Sequence, residues 1–294
     1  MANHHQPVLL AEAINGLHLK TGNWYIDATF GRGGHTRVML EQGAKVVALD
    51  HDAEAIEFGQ QKFASEIEQG KLILKRESFN QIGQVVKQEL KNEPVNGILF
   101  DLGTSVDQLK FSNRGFSFET DSELDMRMDD RLGVKAKDIL NLVDERQLAE
   151  LFHNYGGEEQ AKAVAKRVAE MRKKKLFETT NDLVKVIDQV KGGKRGHLNP
   201  ATKVFQALRI AVNSEFDQLQ QALSQIPDLI AKDGRIVIIS FHEGEDRIIK
   251  QQFLTWEVMK KGERETKKPM TPGEAELEQN PRARSAKLRI FKFF

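Results

Sequence analysis

The sequence predicts an α/β protein built on a parallel, doubly wound sheet, with a small helical domain inserted between the fourth and fifth strands. Three observations lead there. Short apolar runs alternate with helical patterns at both ends of the chain. A glycine-rich turn, Gly31-Arg32-Gly33-Gly34, directly follows the first of those runs. From roughly Gln108 to Gly196 the alternation stops, and the pattern becomes loop-rich and then helical.

Taken in order, Trp24 to Ala28 reads as the first strand, followed by the glycine turn and a helix through Leu40. Lys45 to Leu49 is the second strand and ends at Asp50; Leu72 to Leu74 is the third; Gly97 to Phe100 is the fourth and ends at Asp101. Within the insertion, Leu148, Leu151, Phe152 and Tyr155 recur at the spacing of one helical face, as do Leu183, Val186, Ile187 and Val190. Asp144 followed by Gln147 has the form of a capping box. Asn199-Pro200 is suited to start a further helix, asparagine as N-cap and proline in the first turn. Arg235 to Phe241 is the fifth and most β-branched strand, and Trp256–Met259 with Leu288–Phe294 is expected to form an antiparallel pair at one edge. The expected division is a sheet domain over 1–107 and 197–294, with a helical substrate-recognition domain over 108–196.

Composition sets outer limits. Of 294 residues, 39% are hydrophobic and 30% charged, the balance of a globular protein in water. No apolar run approaches the roughly 18 residues needed to cross a bilayer. The N-terminus has no basic stretch followed by an apolar core, which argues against secretion and for the cytoplasm. With no cysteine, disulfides and thiolate metal sites are excluded. So is any chemistry in which a cysteine adds to a pyrimidine ring to activate carbon 5. The eight histidines show no pair at metal-ligand spacing, and no metal is expected. Net charge is only +1, yet Tyr155 to Arg209 carries thirteen Lys/Arg against six Asp/Glu. Such a region suits a polyanion, or equally a solvated helix surface.

Asp27-Ala28-Thr29-Phe30-Gly31-Arg32-Gly33-Gly34-His35 sits between a strand and a helix, where glycines let the backbone turn sharply and approach a ligand. Asp50, 19 residues beyond Gly31 at the end of the next strand, is placed to accept ribose hydroxyls. Together these describe a nucleoside site. A dinucleotide fingerprint would have glycine or alanine where this chain has Thr36. Asp27, just before the glycines, suits the cationic ammonium and sulfonium groups of S-adenosylmethionine better than a pyrophosphate.

Beyond these patterns, the chain resembles the bacterial 16S ribosomal RNA cytosine-N4-methyltransferase family over almost its full length. The matching stretches are Val8-Leu9-Leu10 with Glu12-Ala13, Asp27 to His35, Asp101-Leu102-Gly103, Arg114 to Phe118, and Leu124 to Met128. They continue with Pro200-Ala201-Thr202, Phe205-Gln206-Ala207, Val212 to Glu215, Ser240-Phe241-His242, Glu245-Asp246-Arg247 and Asn280 to Ser285. The resemblance implies a class I (Rossmann-like) methyltransferase domain with an inserted helical domain. It implies methylation of a cytidine N4 in the small ribosomal subunit, near the P site of the decoding centre, with S-adenosylmethionine as donor. It places cofactor contacts on Gly33, Gly34, His35, Asp50, Phe79, Asp101 and Gln108. The chain departs from the family pattern at Thr104-Ser105-Val106-Asp107 and at Glu243-Gly244.

A cytosine exocyclic amine is a poor nucleophile, because its lone pair is delocalised into the ring. An acceptor that pulls on an amine hydrogen localises that pair and takes the proton. The loop Asp101 to Ser105 is the candidate for this role, through backbone carbonyls or the Asp101 carboxylate. His242 is either a general base or a structural histidine, and His35 either a cofactor contact or a helix cap. Arg114, Phe116, Phe118 and Arg127 are candidates for the substrate entrance, where an aromatic face would stack on a flipped-out base, or else the phenylalanines anchor the loop in the core. Lys194, Arg195, Lys203, Arg209, Arg282 and Arg284 are candidates for contacts to the RNA backbone. A methyltransferase with another nucleic-acid target, or an RNA-binding assembly factor with weak catalysis, remains open as an alternative.

Overall fold

Runs such as Val46-Val47-Ala48-Leu49 and Ile236-Val237-Ile238-Ile239 are apolar at every position, so they must be covered on both faces. The computed structural model describes residues 7–103, 113–192 and 199–294. Among them, seven strands form one sheet: β1 (Trp24–Asp27), β2 (Lys45–Leu49), β3 (Leu72–Lys75), β4 (Val95–Asp101), β5 (Ile230–Ser240), β6 (Gly262–Arg264) and β7 (Lys287–Phe293). Their order is β3-β2-β1-β4-β5-β7-β6. The first five are parallel, and β7 runs antiparallel between β5 and β6. This is the class I methyltransferase arrangement expected from the sequence.

Alternate residues of each strand feed two cores. Ile26, Val47, Ile98, Phe100, Ile236 and Ile238 pack on one face beneath α5 (Ile82–Glu89), α11 (Glu215–Gln225) and α12 (Glu243–Val258). Tyr25, Val46, Ala48, Leu99, Val237 and Ile239 pack on the other, with α1 (Leu10–Leu17), α2 (Gly34–Glu41) and the Phe63 corner between α3 (Ala53–Lys62) and α4 (Ala64–Glu68). Strand order reverses between β1 and β4, so the connections leaving their carboxyl ends run to opposite sides and leave a crevice there.

The chain divides into two compact units, Met1–Gly103 with Phe216–Phe294, and Thr104–Glu215. The sequence reading set these boundaries at 107/108 and 196/197. The second unit contains α6 (Ala136–Leu142), α7 (Glu145–Gly156), α8 (Ala161–Arg172), α9 (Thr180–Lys191) and α10 (Thr202–Asn213). Their apolar faces share a core of Leu148, Phe152, Val164, Val168, Leu183, Ile187, Val204 and Leu208. Helix α10 belongs to this core through Val204, Phe205, Ala207 and Leu208. Asp144 caps α7 by accepting the Gln147 amide at 2.9 Å, and Asn199 Oδ1 accepts the Ala201 amide at 2.9 Å ahead of α10.

One expected element is corrected. Trp256 to Met259 is not a strand; it ends α12, and the edge strand beside β7 is Gly262–Arg264. Glu245, Ile249, Phe253 and Trp256 are the buried residues of α12, spaced by four, four and three, so the helical period overrides the local strand preference. Trp256 meets Phe291 and Phe293 of β7 at centroid distances of 5.3 and 5.1 Å. No helix among the described residues is long and apolar enough to cross a membrane.

Candidate active site

β1 and β4 each end on an aspartate and a third directly follows β2, and hydroxyl and amide donors tie the three ends together. Asp27 ends β1 and is 1% exposed. Its Oδ1 accepts the Thr29 amide at 3.2 Å, and its Oδ2 accepts the Thr36 hydroxyl at 2.7 Å. Burial pushes the Asp27 carboxyl up to about 6, against the pull of these donors. Thr29 Oγ1 in turn accepts the Asp101 amide at 2.6 Å, joining the turn after β1 to the end of β4. Thr36 is therefore more than the absence of a third glycine. Its buried hydroxyl partners Asp27, a role that residue spacing gives no signal for.

The glycine turn divides into a packed side and an open side. Gly33 has φ +70°, and a Cβ there would lie 2.7 Å from the rings of both Phe30 and Phe63. Those rings meet edge to face at 5.7 Å. Gly31 has φ +53° and nothing within 4 Å of a would-be Cβ, so its backbone is open to a ligand. Gly34, first residue of α2, is closed off by Pro7, whose Cγ would lie 2.2 Å from a Cβ.

Asp50 follows β2, half-buried. Its Oδ2 accepts the Gly31 amide at 2.8 Å and its Oδ1 the Asp52 amide at 2.9 Å. The residue expected to hold a ribose thus also anchors the glycine turn. A carboxylate has about four lone-pair directions, so acceptor capacity is left for hydroxyls. Phe79 opens a short 3-10 turn after β3, with its ring edge-on to Phe100 at 5.8 Å. It is half-buried at the end of the sheet where an adenine would lie.

Asp101 ends β4. Its side chain is 23% exposed, yet Oδ1 is buried and has no hydrogen-bond partner among the described residues. Burial, then the neighbouring carboxylates Asp27 and Glu245, push it up to about 8. Its Oδ2 lies 3.8 Å from Nδ1 of His35, which is 4% exposed. His35 is not a helix cap, because the N-cap of α2 is Gly33 and no side chain caps that end. His242 is one: it precedes α12, and its Nδ1 accepts the Glu245 amide at 3.4 Å. Its Nε2 lies 2.9 Å from Glu245 Oε1, and its ring sits 5.5 Å from that of Phe216. The general-base reading of His242 gives way to the structural one.

Gln108 and Ser105 lie outside the described residues, as do Lys194 and Arg195 and the side chain of Arg282. In the second unit, Arg127 chelates Asp125 through two nitrogens at 2.7 and 2.8 Å, and donates to the Asp130 and Leu132 carbonyls. Arg114 donates to the Arg127 and Met128 carbonyls at 3.2 Å, and Phe116 is buried in the core. The Asn213 side chain clamps the same segment, accepting the Met128 amide at 2.7 Å and donating to the Met126 carbonyl at 2.8 Å. The Leu124–Met128 stretch and Asn213 are thus one hydrogen-bonded structure. Arg209 pairs with Glu215 through two nitrogens at 2.7 and 2.8 Å. Lys203 is 42% exposed and 3.6 Å from Glu159, and Arg284 is exposed.

These residues fit S-adenosylmethionine. Carboxylates converge at the switch point, Gly31 presents open backbone, and Asp101 has a carboxylate oxygen with no partner among the described residues. Gly33 and Gly34 serve the cradle by packing, since side chains of the protein itself occupy the space beside them.

Comparison with known proteins places the chain in a family. The model of the MraW methylase family matches residues 2–294. A Magnetococcus marinus protein named ribosomal RNA small subunit methyltransferase H is 42% identical, covering 99% of this chain and 98% of its own. One of the same name from Coprothermobacter proteolyticus is 40% identical, covering 98% and 95%. A solved rRNA methylase from Streptococcus thermophilus aligns over 97% of this chain and 92% of its own, at 12% identity and a TM-score of 0.44. Matched along its length by that family model and by relatives at 40% identity or more, the chain belongs to the MraW methylase family and is an S-adenosylmethionine-dependent methyltransferase.

Proposed function

We propose that this protein methylates the exocyclic N4 of a cytidine in 16S ribosomal RNA of the small subunit, near the P site of the decoding centre. The observation that supports this most directly is the end-to-end match to relatives named ribosomal RNA small subunit methyltransferase H. The bound cofactor supplies an activated methyl group and a cationic sulfonium, which favours Asp101 as the carboxylate. Gly33, Gly34, His35, Asp50 and Phe79, with Gln108, form the cofactor site. Asp50 holds the ribose through the lone pairs left over from the Gly31 and Asp52 amides, and Phe79 packs on the adenine.

Asp101 would accept a hydrogen of the cytosine amine on its carboxylate, localising the nitrogen lone pair along the line of attack. It would receive the proton as the N–C bond forms and the methyl–sulfur bond of the donor breaks to leave a neutral thioether. Ser105, four residues further along the sequence, is the second residue assigned to this step. The second unit, expected as the substrate-recognition domain, carries the basic stretch that faces RNA. Within it and beyond, Lys203 and Arg284, with Lys194, Arg195 and Arg282, make the backbone contacts. Arg209, paired with Glu215, is assigned to the same backbone contacts, and Arg114, Arg127 and Phe116 to the substrate entrance.

Mass spectrometry of 16S RNA from cells with and without the protein tests the reading. One cytidine should lose an N4-methyl group in its absence, and Asp101→Ala should fail to restore it. Unchanged 16S RNA, or full restoration by Asp101→Ala, overturns the target or the residue assignment respectively.

A further inference from the structure

Glu245 is a carboxylate 3% exposed, set three residues into α12 and committed to the turn that leaves β5. Its Oε2 accepts the Phe241 amide at 2.9 Å and the His242 amide at 3.4 Å, and its Oε1 is 2.9 Å from His242 Nε2. A capping box accounts for the His242 part. The Phe241 bond reaches one residue further back, to the junction between the strand end and the helix.

What that junction touches connects it to the reacting edge. β5 pairs with β4 up to Asp101↔Ile239, and the Leu102 amide donates to the Ile239 carbonyl at 2.9 Å. Two residues past Asp101, Gly103 has φ +114°, and a Cβ there would lie 3.3 Å from the Phe241 ring. The Phe241 ring is therefore laid on the backbone just beyond Asp101, and Glu245 holds the amide from which that ring projects. His35 from α2 lies 3.8 Å from the Asp101 carboxyl, and the carboxylates of Asp27 from β1 and Glu245 from α12 are near enough for their charge to raise it. Gly244 makes the close seating of α12 possible: a Cβ there would lie 2.4 Å from the Phe216 ring. The departure at position 244 thus keeps the first turn of α12 against Phe216.

We propose that Glu245 is a positioning residue for methyl transfer, fixing the Phe241 turn against Gly103 and setting the electrostatic field at Asp101. It touches neither cofactor nor base. By its charge it keeps Asp101 a stronger proton acceptor than burial alone would, and by its hydrogen bonds it keeps the Phe241 ring seated on Gly103. The proposal rests on the assignment of Asp101 as acceptor.

The test separates charge from shape. Glu245→Gln keeps a carbonyl oxygen for the Phe241 amide and removes the charge; Glu245→Ala removes both. With cofactor and ribosomal particles, Glu245→Gln is expected to move the acidic limb of the kcat–pH profile down by about half a pH unit. Its plateau should fall about twofold, as a weaker acceptor requires, with KM for both substrates unchanged. Glu245→Ala should lower kcat about tenfold with KM again near that of the wild type. A Glu245→Gln profile that superimposes on the wild-type profile overturns the proposal and leaves Glu245 a helix cap. If Glu245→Ala does not fold, as judged by circular dichroism, the Glu245→Gln profile alone decides. Asp101→Asn serves as the control for the underlying assignment. If it keeps the wild-type rate and limb, Asp101 is not the acceptor, whatever Glu245 does; if it abolishes them while Glu245→Gln changes nothing, only the Glu245 proposal falls.

Discussion

At the scale of single residues, the site holds carboxylates in conditions that oppose their charge. Asp101 has an ordinary carboxyl value near 3.8, raised to about 8 by burial and by Asp27 and Glu245. In the ligand-free protein at neutral pH it keeps its proton, whereas in the unfolded chain it would lose it. Folded stability therefore falls as pH climbs from about 4 to about 8, and the penalty is complete above that window. Asp101→Asn cannot ionise, so without cofactor it should be more stable than wild type at pH 8 by at least about 1 kcal/mol. The gain should vanish near pH 4. Urea titrations at the two pH values check this, and equal midpoints at both would remove the claim that the fold strains against a charge here. A site less stable than its inert variant is what the acceptor role proposed for Asp101 would cost the fold. Among these residues, Asp27, Asp50 and Asp101 are legible in sequence because each ends an apolar run. Thr29, Thr36 and Glu245 are not, because their partners are set by strand pairing and helix packing.

At the scale of elements, the glycine turn and α12 show how local pattern and packing share control. Gly31 and Gly33 both have positive φ, yet only Gly33 has neighbours where a side chain would go. Gly33→Ala should therefore lose about 1–3 kcal/mol of stability, from backbone strain and the clash with Phe30 and Phe63. Gly31→Ala should cost stability less and cofactor affinity more, since its Cβ enters open space beside the turn. Thermal unfolding and calorimetric titration of the two variants, side by side, would show this crossing; equal losses in both measurements would contradict it. Strand ends around the turn are read correctly from sequence to within about two residues. The Trp256–Met259 segment is not, because four successive residues cannot show a helical period. Only the recurrence of Glu245, Ile249, Phe253 and Trp256 over three turns reveals which face is buried.

At the scale of the whole chain, there are two cores on the sheet and a separate one in the second unit. Net charge near zero gives no general attraction to RNA, so binding should depend on local contacts and on salt. RNA affinity is expected to fall with added salt, and Arg284→Glu should weaken binding and reduce the salt slope by about one, leaving cofactor affinity intact. Filter binding across a salt series measures both; a slope unchanged in Arg284→Glu would remove that residue from the interface.

The sequence by itself determined the parallel sheet, its alternation with helices, the glycine turn with Asp50 at its spacing, and the presence of a helical insertion. These follow from period and order along the chain, which local sterics and burial impose. Only the tertiary structure decided that β7 enters the sheet antiparallel beside β5, and that α10 joins the core of the second unit. It alone assigned His242 to a cap, Arg127 and Arg209 to internal ion pairs, and Glu245 to the edge of the site. Each of these depends on contacts between residues far apart in sequence, where a side chain's partner is chosen by the packing of whole elements.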